Sequence, residues 1–393
     1  MLLWKRIYRF VKKIIKGVFL YKKNVFKNNY KKNVLISYIT EPFFIPEKDW
    51  FKHTNFKECH QIAKIFSELG FNVDVIDFNN NNKINYSKYD IIFGFGEPLE
   101  QYFYSEYFAQ TITIFYGTGC HPEFSNTVTV DRVLDVSKQK GIMIPESSRF
   151  LNKVGMQTRL SSNTIILGNY FTEKTYRISN RNDNRIFPIP ASFYKVCNID
   201  ISNKNYQKAK HHFLWFGSSG LIHKGLDILL DIFKNRIDIT LHVCGPIKNE
   251  KKFEDVYNDY LYNTPNIKTY GFVNISSELF QNLMEICAFT IFPSASEGGS
   301  PSVITVMGNG GLIPIISEAS GLDVEDIGYV FNDLNPKTIS DTIDKALLMS
   351  SEELYEQSKK ALEFANSNHS IENFSMKMKT AINSIILQNQ VAA

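Results

Sequence analysis

Two stretches of this 393-residue chain hold residue types suited to stabilising an anion. The first, "SASEGGSPSVITVMGNGG" from Ser294 to Gly311, sets one carboxylate, Glu297, before Gly298 and Gly299, followed by Ser300, Pro301 and Ser302. Ser300 suits an N-cap and Pro301 the first helical position, where no amide hydrogen is needed. Val303, Ile304 and Met307 then supply an apolar helical face, and the preceding "CAFTIFP" reads as a short buried strand ending at Pro293. Strand, Gly-rich loop and helix in that order leave free backbone N–H groups at the positive end of a helix, which is an anion site. The same residues also suit a plain strand-to-helix turn.

The second stretch, "HHFLWFGSSGLIHKGLDILL", runs a strand into Gly217, Ser218 and Ser219 and on to Lys224 before a helix. Loop amides and a point cation together suit a phosphate group. The spacing GxxxxGK[ST] is absent, so this is not a P-loop. A carboxylate pointing into an anion nest would repel phosphate, so Glu297 is expected to accept from hydroxyl groups one sugar ring away. In open α/β sheets ligands sit outside the carboxyl ends of strands, and three loops share that position: Gly217–Lys224, Cys244–Pro246 and Ser294–Ser302.

The elements that must hold these loops form two series. From Asn33, strand patterns ("NVLISYI", "NVDVIDF", "YDIIFGFG", "TITIFYGTGCH", "NTIILGN", "NRIFPIP") alternate with helical ones, which implies a parallel sheet with right-handed crossovers. After a polar connector, Asn198 to His211, a second series follows: "HHFLWFG", "ITLHVCG", "NIKTYGFV", "CAFTIFP", "GLIPIIS" and "GYVF", with helices between and two at the end. The expected domains are 33–195 and 196–365, two doubly wound α/β halves facing a cleft, with a helical segment at 366–393.

The net charge of +4 conceals an asymmetry. Residues 1–32 carry eleven Lys or Arg and no acid, whereas the other 361 residues carry 33 bases against 40 acids. In "MLLWKRIYRFVKKIIKGVFL", Leu3, Ile7, Phe10, Ile14 and Val18 recur at helical spacing among six cations. That is a basic amphipathic helix suited to an anionic membrane surface, with packing on the body or on a partner as the alternative. No apolar run approaches the ~20 residues of a spanning helix, and nucleic acid is not the expected partner. The five cysteines are scattered without metal-ligand spacing, which points to a reducing compartment and to neither a disulfide framework nor a metal site.

Further candidates come from the first half. His121 in "YGTGCH" lies just past a strand and is expected to face the cleft, as are His53 and Asn55; Arg132 and Glu97 are weaker candidates. His211, His212 and His242 belong to no constellation and read as structural.

In their order, "FLWFGSSGLIHKGLDILL", "LHVCG", "NIKTYGFV" and "FPSASEGGSPSVITVMGNGGLIPIIS" resemble the donor half of retaining GT-B glycosyltransferases, the glycosyltransferase family 4 group (glycosyl transferases group 1), from Phe213 to about Asn335. The resemblance implies two Rossmann-like domains and a nucleotide-diphosphate-sugar donor, UDP- or GDP-linked, with no cofactor. Lys224 would then contact the diphosphate and Glu297 the sugar hydroxyls, with amides near Ser300 to Ser302 holding phosphate. The chain departs from the family where Ser218 replaces the usual Arg, where the loop to Lys224 is one residue longer, and where Thr305 replaces a second glutamate. The implied activity is sugar transfer to a glycan or lipid-linked acceptor in cell-surface polysaccharide synthesis, at the cytoplasmic face of a membrane. A catalytically inactive nucleotide- or glycan-binding scaffold is the alternative. An NAD-linked oxidoreductase is disfavoured, because no GxGxxG with an acid about 20 residues on follows a strand.

Overall fold

The computed structural model describes residues 20–151, 155–179 and 185–391. The basic amphipathic helix expected in the first twenty residues lies almost wholly outside them. The strands are β1 (Tyr21–Lys22), β2 (Lys32–Tyr38), β3 (Phe71–Asp77), β4 (Ile91–Gly94), β5 (Ile112–Gly117), β6 (Asn163–Leu167) and β7 (Arg185–Ile189) in a first sheet. A second holds β8 (His212–Phe216), β9 (Thr240–Cys244), β10 (Ile267–Gly271), β11 (Phe289–Phe292), β12 (Ile313–Ser317) and β13 (Tyr329–Phe331).

The first sheet runs in the order β1-β3-β2-β4-β5-β6-β7 and the second in the order β10-β9-β8-β11-β12-β13. All pairings are parallel except that of β1 with β3. Parallel strands need helical crossovers on both faces, so central strands are apolar throughout. Val34, Leu35 and Ile36 of β2 are fully buried, as are Phe213, Leu214 and Trp215 of β8.

β1 corrects one boundary. Charge alone separated residues 1–32 from the body, yet Tyr21 pairs with Ile76, and the Asp74 carboxylate accepts from Tyr21 Oη and the Asn24 amide at 2.7 and 2.8 Å. From Leu20 onward the basic stretch is part of the first sheet's edge. The lysines there stay at the surface while the backbone pairs, which composition cannot reveal.

At the other end, helix Ile371–Val391 turns its buried stripe (Phe374, Met378, Ile382, Ile385) back onto the first domain, and Lys379 reaches Glu68 at 2.9 Å. Buried apolar residues of both domains form one continuous cluster. Among the described residues no helix is long and apolar enough to cross a membrane.

In the second sheet the chain moves from β8 outward to β9 and β10, then returns to place β11 on the other side of β8. The loops after β8 and β11 therefore flank the crevice at which strand order reverses, the position where doubly wound sheets bind ligands.

Candidate active site

Glu297 and Lys224 meet at that crevice. Lys224 Nζ donates to Glu297 Oε1, and both side chains are buried. Ser294 Oγ also donates to Oε1, at 3.2 Å. Arg149, from the first domain, places Nη1 3.3 and 3.4 Å from the two carboxylate oxygens. Burial alone would raise the Glu297 pKa, but the charges of Lys224 and Arg149 outweigh it and hold the group at about 2. Lys224 moves the opposite way to a simple paired lysine. Burial lowers it to about 8, with the attraction of Glu297 only partly offsetting this and Arg149 adding to the fall.

Sequence reasoning separated the two side chains by a sugar ring; the structure joins them, and this corrects the expectation. A buried carboxylate without a cation is costly, and Lys224 is the buried cation within reach. The Lys224 ammonium also lies 5.2 Å from the Phe292 ring centroid, over the end of β11.

The loop after β11 is buried from Ser294 through Ser300. Among the described residues, the backbone N–H groups of Gly298, Gly299 and Ser300 have no hydrogen-bond acceptor. They stand at the N-terminus of helix Pro301–Gly310, with Pro301 in the first turn as expected. Ser300 does not cap that helix with its side chain. It adopts a left-handed conformation (φ 35°), and its Oγ donates to Ser320 O at 2.8 Å. Gly298 lies against the first domain: a Cβ there would stand 2.6 Å from Thr118 O. Ser302 is half-buried, and the Thr305 hydroxyl donates to Pro301 O at 2.7 Å, so its hydrogen turns into its own helix.

Only part of the loop after β8 fits the phosphate reading. Gly217 N–H donates to Cys244 O, and the amides of Gly220 and Leu221 donate to the Glu250 carboxylate at 2.5 and 3.1 Å. Glu250 occupies the place an external anion would take there. Ser218 and Ser219 are exposed, and their amides have no acceptor among the described residues. Ser147 of the first domain completes Glu250 at 2.5 Å.

His121 is the clearest correction. It is wholly buried and caps helix Pro122–Lys140, its Nδ1 accepting from Glu123 N–H at 3.2 Å and its Nε2 lying 2.8 Å from Thr158 Oγ1. A histidine just past a strand and just before Pro122 sits where an N-cap is needed, and that role takes it out of the cleft. Arg132 is also removed, paired with Asp227 at 2.5 Å. His53 does stand at the cleft, where crowding and then the charge of Arg149 lower its pKa. Glu97 begins helix Glu97–Phe103, on the first domain.

Three residues were missed. Arg149 and Glu250 lie in irregular segments, "PESSRF" and "GPIKNE", where no periodicity marks a role. His223 precedes Lys224; its Nε2 donates to Ser296 O at 2.7 Å, while its buried Nδ1 has no partner among the described residues. Burial keeps it neutral, with a pKa of about 3. Beside this cluster a cavity of about 100 Å³ is walled by Phe95, Phe115, Leu151 and Tyr176 of the first domain and reaches Arg149 and Glu297.

Two parallel doubly wound sheets facing a cleft, with a long C-terminal helix returning to the first domain, define the GT-B glycosyltransferase fold. Solved structures agree. Sucrose-phosphate synthase from Thermosynechococcus elongatus superposes with a TM-score of 0.61 at 12% identity, over 91% of this chain and 100% of that one. HepE from Anabaena, in complex with UDP and glucose, gives 0.59 at 10% identity, over 90% and 100%. The chain spans 54% of the length of TarM from S. aureus, with 73% of its own length aligned at 17% identity and a TM-score of 0.49. Residues 199–363, within the second domain, match the family described as glycosyl transferases group 1. A search of the curated proteins gives no match.

Proposed function

We propose that this protein transfers a sugar from a UDP- or GDP-linked donor to a glycan or lipid-linked acceptor in cell-surface polysaccharide synthesis, with retention of configuration. It would need no resident cofactor or metal, and its basic N-terminal segment would hold it on the anionic cytoplasmic face of a membrane. The observation that carries the reading is the buried Lys224–Glu297 pair beside three unengaged amides at a helix N-terminus, on a domain that matches the glycosyl transferases group 1 family.

Departure of a nucleoside diphosphate leaves negative charge on its terminal phosphate. Lys224 and the amides of Gly298, Gly299 and Ser300 are preorganised donors for that charge, in a site largely closed to water. Glu297, ionised throughout the physiological range, would orient the sugar through its hydroxyls. The apolar cavity beside it would admit the acceptor.

Thermal stability against UDP, GDP, ADP and CMP compounds tests the reading, because a ligand at about 100 times its dissociation constant adds roughly 2.7 kcal/mol. One family of compounds should stabilise, and its sugar conjugate should be consumed when acceptor is added. A flat response across the panel overturns the reading in favour of a scaffold. Sedimentation with anionic liposomes tests the membrane role: binding should weaken with salt and be lost with the first 20 residues.

A further inference from the structure

We infer that Arg149 of the first domain is a second phosphate-binding cation of the donor site, so that the site is complete only when both domains contribute to it. This rests on the nucleotide-sugar reading above. A bound diphosphate carries two negative charges, and Lys224 is one cation already committed to Glu297. Arg132 and Lys140, the nearby cations of helix Pro122–Lys140, are held by Asp227 and Asp231 at 2.5 and 3.1 Å. Arg149 is held less firmly. Its 3.3 and 3.4 Å contacts exceed the 2.7–2.9 Å usual for a charged N–H···O bond. Its side chain is 44% exposed, against 5% for Lys224. Only Nη1 is engaged, so Nε and Nη2 have no partner among the described residues. A planar guanidinium with donors to spare matches phosphate oxygens.

The surroundings aim it. Arg149 N–H donates to Thr129 Oγ1 at 3.1 Å, and two residues earlier Ser147 bonds Glu250 through Oγ and receives the His223 amide at its carbonyl, at 3.3 Å. This fastens the segment over the loop that carries the unengaged Ser218 and Ser219 amides. The arginine stem crosses Gly220, where a Cβ would come within 2.5 Å of Cγ and 2.7 Å of Cδ. Gly220 adopts a positive φ of 91°, which itself favours glycine, and its lack of a side chain leaves room for the Arg149 stem. A diphosphate arriving there would take the guanidinium from Glu297, which keeps Lys224, so no buried charge is left unpaired.

Calorimetric titration of the full-length wild type, R149A, R149Q and R149K with UDP, or whichever diphosphate the panel selects, and separately with the corresponding nucleoside, tests this. R149A and R149Q should bind the diphosphate about ten- to hundredfold more weakly and the nucleoside unchanged, with R149K recovering part of the loss. Diphosphate binding equal to wild type in R149A and R149Q, or equal loss of nucleoside and diphosphate, would overturn the proposal and leave Arg149 a strut between domains. If R149A does not fold, R149Q, close in shape and uncharged, decides the matter. A wild type that binds none of these nucleotides refutes the donor reading itself, so the two failures are told apart.

Discussion

Two arginines of the first domain reach carboxylates of the second, and they are built differently. Arg132 meets Asp227 between helices Pro122–Lys140 and Leu226–Phe233, side chains 13% and 5% exposed, through one close contact at 2.5 Å. Arg132 Nε and Asp227 Oδ1 are buried without partners among the described residues, and burial raises the Asp227 pKa in spite of its arginine. Arg149 meets Glu297 at the strand ends, more loosely, in the company of Lys224, and Glu297 falls to about 2. A carboxylate with one buried cation depends on it. A carboxylate with two can release one and stay ionised. The first arrangement is a fastening, and the second can exchange partners with a ligand.

Breaking the fastening should have the largest effect. Arg132→Ala leaves Asp227 charged and alone, which should cost about 3 kcal/mol of unfolding free energy by chemical denaturation. The deficit should shrink on acidification, because protonating Asp227 removes the orphaned charge and its folded pKa is already raised. Replacing both partners, Arg132→Met with Asp227→Leu, should restore most of the stability. A deficit that persists in the double variant would show that the pair is worth more than its burial costs. Nucleotide affinity should be unchanged in any folded variant of this pair.

At the site, loss should appear in binding. Lys224→Ala should weaken nucleoside diphosphate binding about ten- to hundredfold in titration. Glu297→Gln sharpens the contrast, because it frees both cations from competition while keeping the side chain's shape. Bare nucleoside diphosphate should bind at least as well as to wild type, while sugar transfer falls. If Glu297→Gln loses the nucleotide as Lys224→Ala does, the carboxylate organises the phosphate site instead of the sugar.

The smallest effect is that of pH. Lys224, lowered by burial to about 8, is charged below that value and loses its proton above it. Diphosphate affinity should therefore decline as pH rises from 7 through about 8, by at most tenfold per unit. Glu297 titrates near 2 and adds no dependence in that range. An affinity that stays level to pH 9.5 would mean that Lys224 does not lose its charge there, and Lys224→Arg should flatten the decline.

Of the thirteen strands among the described residues, twelve were legible, because a buried parallel strand needs a short apolar run between turn residues and little else has that pattern. The exception, β1, is two residues long and carries a lysine. The place of the loops that carry Glu297 and Lys224 was legible for a related reason: each joins a strand to a helix, and in this architecture such loops open at one end of the sheet. His121 was misread because an N-cap and a cleft residue occupy the same place in sequence, just past a strand. Its side chain could turn either way, and the helix's unpaired amides claimed it.

Local pattern therefore determined the elements, their order, the doubly wound halves and the loops that open on the cleft, since each follows from burial and backbone hydrogen bonding within tens of residues. Only the tertiary structure decided which charges meet. Arg149 and Glu297 are 148 positions apart, and Ser147 and Glu250 are 103 apart. Nothing near either residue encodes its partner, because the pairing arises from the docking of one sheet's loops on the other's. That docking turned the expected separate phosphate and sugar contacts into one cluster of two cations around a buried carboxylate.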